Sequence, residues 1–309
     1  MVKYAIVDSG LNNIYVTEQI IGGISFRIGC DGEIKMQDEF EDDNGHGTMV
    51  FQIIREKSNP EDEFYIVKVL EENNKGSSSV LYEALKWLLD IDVKYIVICI
   101  ATENAGVADK YQGIVDKLVD QGKVIFSSWA NNPECRYSYP AILNNVISVG
   151  RDRLVNQKIE YNFNRKVQCI IDVDPAYIWI PDRGFQVFGG NSQAAAEFVA
   201  ITSKRVGNVK NVTDYMEKVI FYNERKVESK RYGKSVNGYI LELLKKNTDN
   251  ISGDVPLWKI FPSIKEFSLF LESVCDKFLI DRKLVVFRRS MFSNLLIFSE
   301  SIEQMKNYK

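Results

Sequence analysis

An α/β fold, with a doubly wound and mostly parallel sheet carrying helices on both faces, is predicted by two features of the sequence. Five short runs rich in β-branched residues are apolar almost throughout, as in strands buried on both faces. Segments with helical periodicity lie between them, and that alternation produces crossover connections and parallel pairing. A small, mostly helical domain is expected to follow.

The first strand is "KYAIVD", Lys3–Asp8, and the first helix is Gly47–Arg55. "FYIVKVL", Phe64–Leu70, is the next strand, followed by a helix over Ser78–Leu89 that opens on capping serines and places Leu81, Leu85, Leu88 and Leu89 on one face. Strand Lys94–Ile100, helix Asp109–Gln121, strand Lys123–Ser128 and strand Asn145–Gly150 continue the pattern, and a further helix is expected at Thr213–Tyr222. Sheets of this class bind ligands at the carboxyl ends of their strands. Asp8, the segment Ala101–Asn104 and the segment Trp129–Asn132 all sit at such ends, so they are expected to meet at one edge of the sheet.

The chain of 309 residues suffices for one substantial domain and a smaller one. With 45% hydrophobic and 26% charged residues and a net charge of −3, it offers no electrostatic ground for a nucleic acid or an acidic membrane surface as partner. The basic run Arg225–Arg231 is preceded by Glu224 and interrupted by Glu228, which reads as a solvated linker. The cysteines Cys30, Cys99, Cys135, Cys169 and Cys275 are odd in number and form no CxxC pair, so neither a zinc site nor a disulfide framework is expected. The start "MVKYAIVDSG" is no signal peptide, and no run of about 18 apolar residues is present to span a membrane. A cytoplasmic protein is expected.

The stretch "DDNGHGTMV" holds the only histidine, His46. Alone, an imidazole between two glycines reads as a loop or cap residue. Acyl transfer, however, needs a nucleophile, a base, an acid to orient the base, and donors for an oxyanion. Asp8 in "VDSG", His46 in "NGHGT" and Ser192 in "GGNSQAAAEFVA" supply the first three, in one of the chain orders this triad adopts. Ser192 precedes an alanine-rich stretch of high helix propensity, which would place it near a helix N-terminus, where developing negative charge is favoured.

Four segments resemble the subtilisin-like serine proteases. "AIVDSGLN" is similar to their Asp segment, "DNGHGTMV" to their His segment, and "GKVIFSSWANNP" with "YPAILNNVISVG" to the segment of the oxyanion Asn, while "GGNSQAAAEFVA" is similar to their Ser segment. The resemblance covers about residues 1–225, the expected peptidase domain, and residues 226–309 are read as the helical one. It implies that Ser192 attacks the scissile carbonyl, His46 transfers the proton, Asp8 holds the imidazole tautomer, and Asn131 donates to the oxyanion beside the Ser192 N–H. An extended peptide substrate is then expected between Gly76–Ser77–Ser78 on one side and Ile100–Ala101–Thr102–Glu103 on the other. Glu103 is expected either in the pocket for the residue before the cut, selecting Lys or Arg, or on the surface.

The sequence departs from the family at Asn191, where Thr is usual before the nucleophile, at Ala196 in place of Pro, and at Ala130 in place of Gly beside Asn131. Ala130 adds a methyl group, so either a tighter oxyanion site or a lower activity is expected. The family's calcium loop is reduced to "REKSNPEDEF", whose Glu61, Asp62 and Glu63 read as solvated loop carboxylates rather than as a metal cage. No metal and no cofactor are expected. The first core strand begins at Lys3, leaving no room for a propeptide, so an intracellular endopeptidase restrained by narrow specificity, a partner or its own tail is implied. Maturation of a ribosomally made peptide suits that picture, general protein turnover is a broader possibility, and an inactive peptide-binding relative is the alternative of a different class.

In the tail, "SIKEFSLFLESVCDKFLI" carries an apolar stripe of Ile264, Phe267, Leu271, Val274 and Phe278. Residues Tyr239–Met305 are faintly similar to acyl- or peptidyl-carrier domains, with Ser263 where carriers attach phosphopantetheine, though Pro262 replaces the usual Asp. A docking module fits better than a working carrier, and an extension that shields the peptidase domain fits better still, with Ser263 as a plain helix cap.

Overall fold

A computed structural model describes residues 1–154, 158–206, 209–220, 238–245 and 255–306, which fall into two compact units. Residues 1–173 and 189–220 form the first, and residues 174–188 with 238–306 form the second. A division near residue 225 alone therefore misses one exchange: Asp174–Phe188 belongs with the later part of the chain.

In the first unit, β1 (Lys3–Asp8), β2 (Ile20–Ile28), β3 (Ile34–Gln37), α1 (His46–Arg55), β4 (Glu63–Lys68), α2 (Ser78–Trp87), β5 (Tyr95–Ile98), α3 (Ala108–Asp120), β6 (Val124–Ser128) and β7 (Val146–Arg151) follow in order. The short strands β8 (Ile159–Tyr161) and β9 (Cys169–Ile171) come next, and after the excursion to the second unit come α4 (Gly190–Val206) and α5 (Val212–Ile220). The nine strands form one sheet ordered β3-β2-β4-β1-β5-β6-β7-β9-β8. Pairing is parallel except at its two margins, where β3 runs against β2 and β8 against β9. The doubly wound class read from the apolar runs is the one observed. Of the expected helix Thr213–Tyr222, the last two residues lie outside the described residues.

Burial explains the pattern. Tyr4, Ala5, Ile6 and Val7 of β1 are buried, and Tyr4 stacks on Phe64 of β4 with ring centroids 5.1 Å apart. The strand β2 is apolar but contains Gly22 and Gly23. A Cβ on Gly22 would come within 2.6 Å of the Tyr65 ring, and one on Gly23 within 2.3 Å of the Phe40 ring, so both glycines make room for aromatic packing. In α4, Ala194, Ala195 and Ala196 are fully buried, and their small side chains let the helix lie close against β7 and α1. The loop carboxylates before β4 are not all solvated as expected. Asp62 is 1% exposed and accepts from the Val2 and Asn59 N–H groups, each at 2.8 Å, tying the loop to the start of β1.

The second unit contains a three-stranded antiparallel sheet in the order β11-β10-β12, made from β10 (Ala176–Ile180), β11 (Gly184–Phe188) and β12 (Val286–Arg288). Helices α6 (Gly238–Lys245), α7 (Ile264–Phe278) and α8 (Leu295–Lys306) complete it. Its core gathers Tyr177, Phe185, Phe267, Leu271, Phe292 and Phe298. The described part of residues 226–309 is mostly helical, as expected, and the sheet is an addition to that expectation. Two of its strands come from the earlier segment, and their partner β12 is a short piece read from sequence as part of a helical tail. In α7, Phe267, Leu271 and Val274 are buried as expected, while Ile264 is 46% exposed. Ser263 caps α7: its Oγ accepts from the Glu266 N–H at 3.3 Å, and Glu266 at the third helical position faces the hydroxyl in turn.

Candidate active site

Asp8 is the last residue of β1 and is buried, with Oδ1 lying 2.7 Å from His46 Nδ1 and accepting from the Ser9 N–H at 2.7 Å. The imidazole arrives there because α1 begins at His46, and both flanking glycines are needed for that approach. Gly45 takes φ 93°, a left-handed conformation that favours glycine. A Cβ on Gly47 would come within 2.4 Å of the Gly10 carbonyl oxygen. The turn is organised by the buried Asp42. Its Oδ1 accepts from Ser9 Oγ and from the Asn44 and Gly45 N–H groups at 2.8, 3.0 and 2.7 Å. Its Oδ2 accepts from the Thr48 N–H and hydroxyl at 2.8 and 2.6 Å. Asp42 thus caps α1 from outside the helix, a role the sequence did not announce.

Burial of the imidazole disfavours its charged form and is the largest single influence on it. The Asp8 charge, the Asp8 hydrogen bond and the Asp42 charge together outweigh it, so the His46 pKa lies above the ordinary 6.5.

Ser192 lies in the first turn of α4, is 5% exposed, and donates from Oγ to the Cys99 carbonyl at 3.3 Å. The Cys99 thiol is buried, and that burial keeps it protonated well above the ordinary range, so it is no rival nucleophile. Asn131 follows the end of β6. Its Oδ1 accepts from the Asn191 N–H at 3.0 Å, which leaves the amide NH₂ as the free end of the side chain. Gly190 has φ 74°, and a Cβ there would come within 2.9 Å of Asn131 Oδ1.

Asn191 proves to be a structural clasp rather than a neutral replacement. Its Nδ2 donates to the Trp129 and Ala130 carbonyls at 3.0 and 3.1 Å, and its Oδ1 accepts from the Arg151 N–H at 2.9 Å. The start of α4 is thereby fastened to the ends of β6 and β7. Ala130 is accommodated without left-handed backbone, and its N–H donates to the buried Ser138 hydroxyl at 3.0 Å.

His46, Ser192, Asn131 and Ala130 open on one cavity of about 460 Å³. Gly76, Ser77, Ser78, Ala101 and Thr102 line it too, and Asp8 stands behind His46. One expectation is corrected and one alternative is decided. Ser78 is the first residue of α2 and Ser77, with extended backbone, is its N-cap, so the flank expected over Gly76–Ser78 is not a strand throughout, and the cavity wall on that side includes Asn74 and Lys75. Glu103 does not line the cavity: it is exposed and accepts from Asn132 Nδ2 at 3.1 Å. The Thr102 N–H and carbonyl are both paired with Tyr139, at 3.0 and 2.9 Å, so the alternating backbone groups of Ala101 and Glu103 are the ones turned to the other side. Leu70, Leu81 and Tyr111 give the cavity an apolar wall, and among the described residues Lys75 is its one permanently charged side chain. Among the described residues no cluster of three or more His, Cys, Asp or Glu side chains is placed to hold a metal ion.

The sequence profile described as the subtilase family matches residues 2–202. The chain belongs to the subtilase family. Among curated relatives, the major intracellular serine protease of Bacillus subtilis (strain 168) is 25% identical over 211 residues, covering 63% of this chain and 65% of that protein. Subtilisin of Bacillus pumilus is 26% identical over 173 residues, covering 52% of this chain and 60% of the relative. The minor extracellular protease Epr of Bacillus subtilis (strain 168) is 26% identical over 170 residues, 52% of this chain but only 25% of that protein. The chain thus spans under two thirds of the length of these relatives. Two of the departures from the subtilase pattern are joined to each other, since Asn191 Nδ2 donates to the Ala130 carbonyl. Among the described residues no helix is long and apolar enough to cross a membrane.

Proposed function

We propose that the protein is a serine endopeptidase that hydrolyses peptide bonds through an acyl-enzyme. Ser192 Oγ forms a bond to the scissile carbonyl carbon while His46 Nε2 takes the hydroxyl proton, and Asp8 holds the resulting imidazolium. The carbonyl oxygen becomes an oxyanion that accepts from Asn131 Nδ2 and the Ser192 N–H. Collapse of the adduct breaks the C–N bond as His46 returns the proton to the leaving amine. Water, deprotonated by the same imidazole, then releases the acid and restores Ser192.

The observation that carries this reading is the 2.7 Å Asp8–His46 contact behind a cavity that Ser192 and Asn131 also line. The reading extends to an intracellular enzyme acting on a few peptides, such as the precursor of a ribosomally made peptide, with the second unit as a docking module. The free cysteines, three of them buried, suit a reducing compartment. Exposed Leu269, Leu279 and Leu284 give the second unit apolar surface for a partner.

A peptide that is bound but not cut is the second reading, and one observation favours it: Ser192 Oγ is engaged with the Cys99 carbonyl. Digestion of a synthetic peptide library, read by mass spectrometry, separates the two. The endopeptidase reading expects new termini with the wild type and none with Ser192→Ala; equal yields from both proteins would overturn it.

A further inference from the structure

A second cavity of about 460 Å³ shares Trp129, Ala130 and Asn131 with the first and continues past Gly190 and Asn191, the two residues before Ser192. The first cavity holds Gly76 and the Ala101–Thr102 segment, which on the endopeptidase reading flank the part of the substrate that acylates Ser192. The second lies across Asn131 from them, so it receives the chain on the leaving-amine side of the scissile bond.

Its distinguishing side chains are Arg151 and Arg153. Arg151 is the final residue of β7, and the bond from its N–H to Asn191 Oδ1 fixes its Cα beside the nucleophile's own loop. Both arginines are exposed, and among the described residues neither side chain has an acidic partner. Asp152, the single acid in the lining among the described residues, already accepts from the Arg153 N–H at 2.7 Å. Val167 and Ile170 form an apolar wall against which arginine methylenes can lie while the guanidinium heads face the cavity. A planar guanidinium pairs best with a carboxylate, through two parallel N–H···O bonds.

We propose that Arg151 and Arg153 form a carboxylate-binding subsite for the leaving-group side of the substrate, taking either an Asp or Glu side chain or the C-terminal carboxylate of a short peptide. The assignment of the two sides rests on the endopeptidase reading. The side-chain exchange Arg→Gln leaves the Arg151 N–H, and so the tie to Asn191, in place.

The test digests one peptide library with free C termini, and the same library amidated, using the wild type and an Arg151→Gln/Arg153→Gln variant. Asp and Glu should be enriched over Asn and Gln in the first few positions after the cut by about fivefold, the scale of a well-placed exposed ion pair. The ratio should fall to about one in the double variant. Enrichment that survives amidation assigns a side-chain carboxylate. Cuts confined near the C terminus and abolished by amidation assign the terminal carboxylate. No enrichment with the wild type, or the same enrichment in the double variant, overturns the subsite. If the wild type cuts nothing, the endopeptidase reading fails on its own account. The subsite is then judged by fluorescence anisotropy of matched Glu- and Gln-containing peptides. Tighter binding of the Glu peptide that the double variant loses sustains it, and equal binding overturns it.

Discussion

Replacing Asn191 with Ala should weaken both the fold near the nucleophile and the chemistry, in proportions that can be worked out from its hydrogen bonds. The side chain makes three: two donated to the Trp129 and Ala130 carbonyls and one accepted from the Arg151 N–H. A hydrogen bond contributes about 1 kcal/mol net, and the one to Arg151 is the most solvent-exposed, so the loss should be about 2–3 kcal/mol in urea unfolding. The Asn191 N–H that holds Asn131 Oδ1 survives the substitution, so Asn131 keeps one tether while the strand end beneath it loosens. Full removal of an oxyanion donor, a value measured on subtilisin itself, costs about 10²–10³-fold in turnover. Loss of positioning alone should therefore lower kcat by roughly 10- to 100-fold, with KM changed little, because the donor acts on the transition state. Asn191→Thr, the family's usual residue, keeps one hydroxyl and should recover part of both losses. Asn191→Asp, which turns a carboxylate toward two carbonyls, should be no better than Ala. An Asn191→Ala protein with wild-type stability and wild-type kcat would refute the clasp.

The pH dependence follows from His46. The base must be neutral, and its folded pKa is raised, so activity should rise with pH through a midpoint above 6.5, and Asp42→Asn, which removes one of the raising charges, should move that midpoint down. A midpoint that stays put in Asp42→Asn would contradict the electrostatic account. For stability the sign is the opposite: a raised folded pKa stabilises most below the unfolded value and is lost as pH rises through the folded one, so the gap in Tm between wild type and His46→Ala should narrow from pH 5 to pH 8. Gly190→Ala forces a side chain into a left-handed conformation beside Asn131, at a cost of about 1–2 kcal/mol in stability, and should reduce kcat more than it changes KM. Glu103→Gln, by contrast, alters a side chain outside the cavity, and cleavage after basic and apolar residues should change by less than about twofold in either case, the scale of a surface polar contact.

The central strands were legible because burial on both faces leaves β1 and β4 to β7 without polar alternation. The strand β2 was not, since Gly22 and Gly23 break the strand pattern and are explained only by the rings of Tyr65 and Phe40 above them. No local mark assigns Asp174–Phe188 to the second unit, because β10 pairs with β12 far along the chain. At the site, Asp8 could be named from its place at a strand end, His46 and Ser192 from the residue types that acyl transfer needs, and Asn131 only through the resemblance to the subtilases. Asn191 acts through hydrogen bonds to distant segments, which a linear reading cannot supply, and Asp42 joins one such bond, from Ser9, to local ones from Asn44, Gly45 and Thr48. Glu103 stayed open between pocket and surface for the same reason: its partner Asn132 comes from another loop.

Labelling with a fluorophosphonate tests the central claim most directly, because only a hydroxyl made nucleophilic by its surroundings reacts at a useful rate. At pH 8 the wild type should gain one adduct, mapped by peptide mass spectrometry to Ser192. Ser192→Ala should gain none, and His46→Ala should react slower by roughly three orders of magnitude or more, the scale on which a general base contributes to an activated serine. An unlabelled wild type, or an adduct on any other residue that persists in Ser192→Ala, would contradict the account.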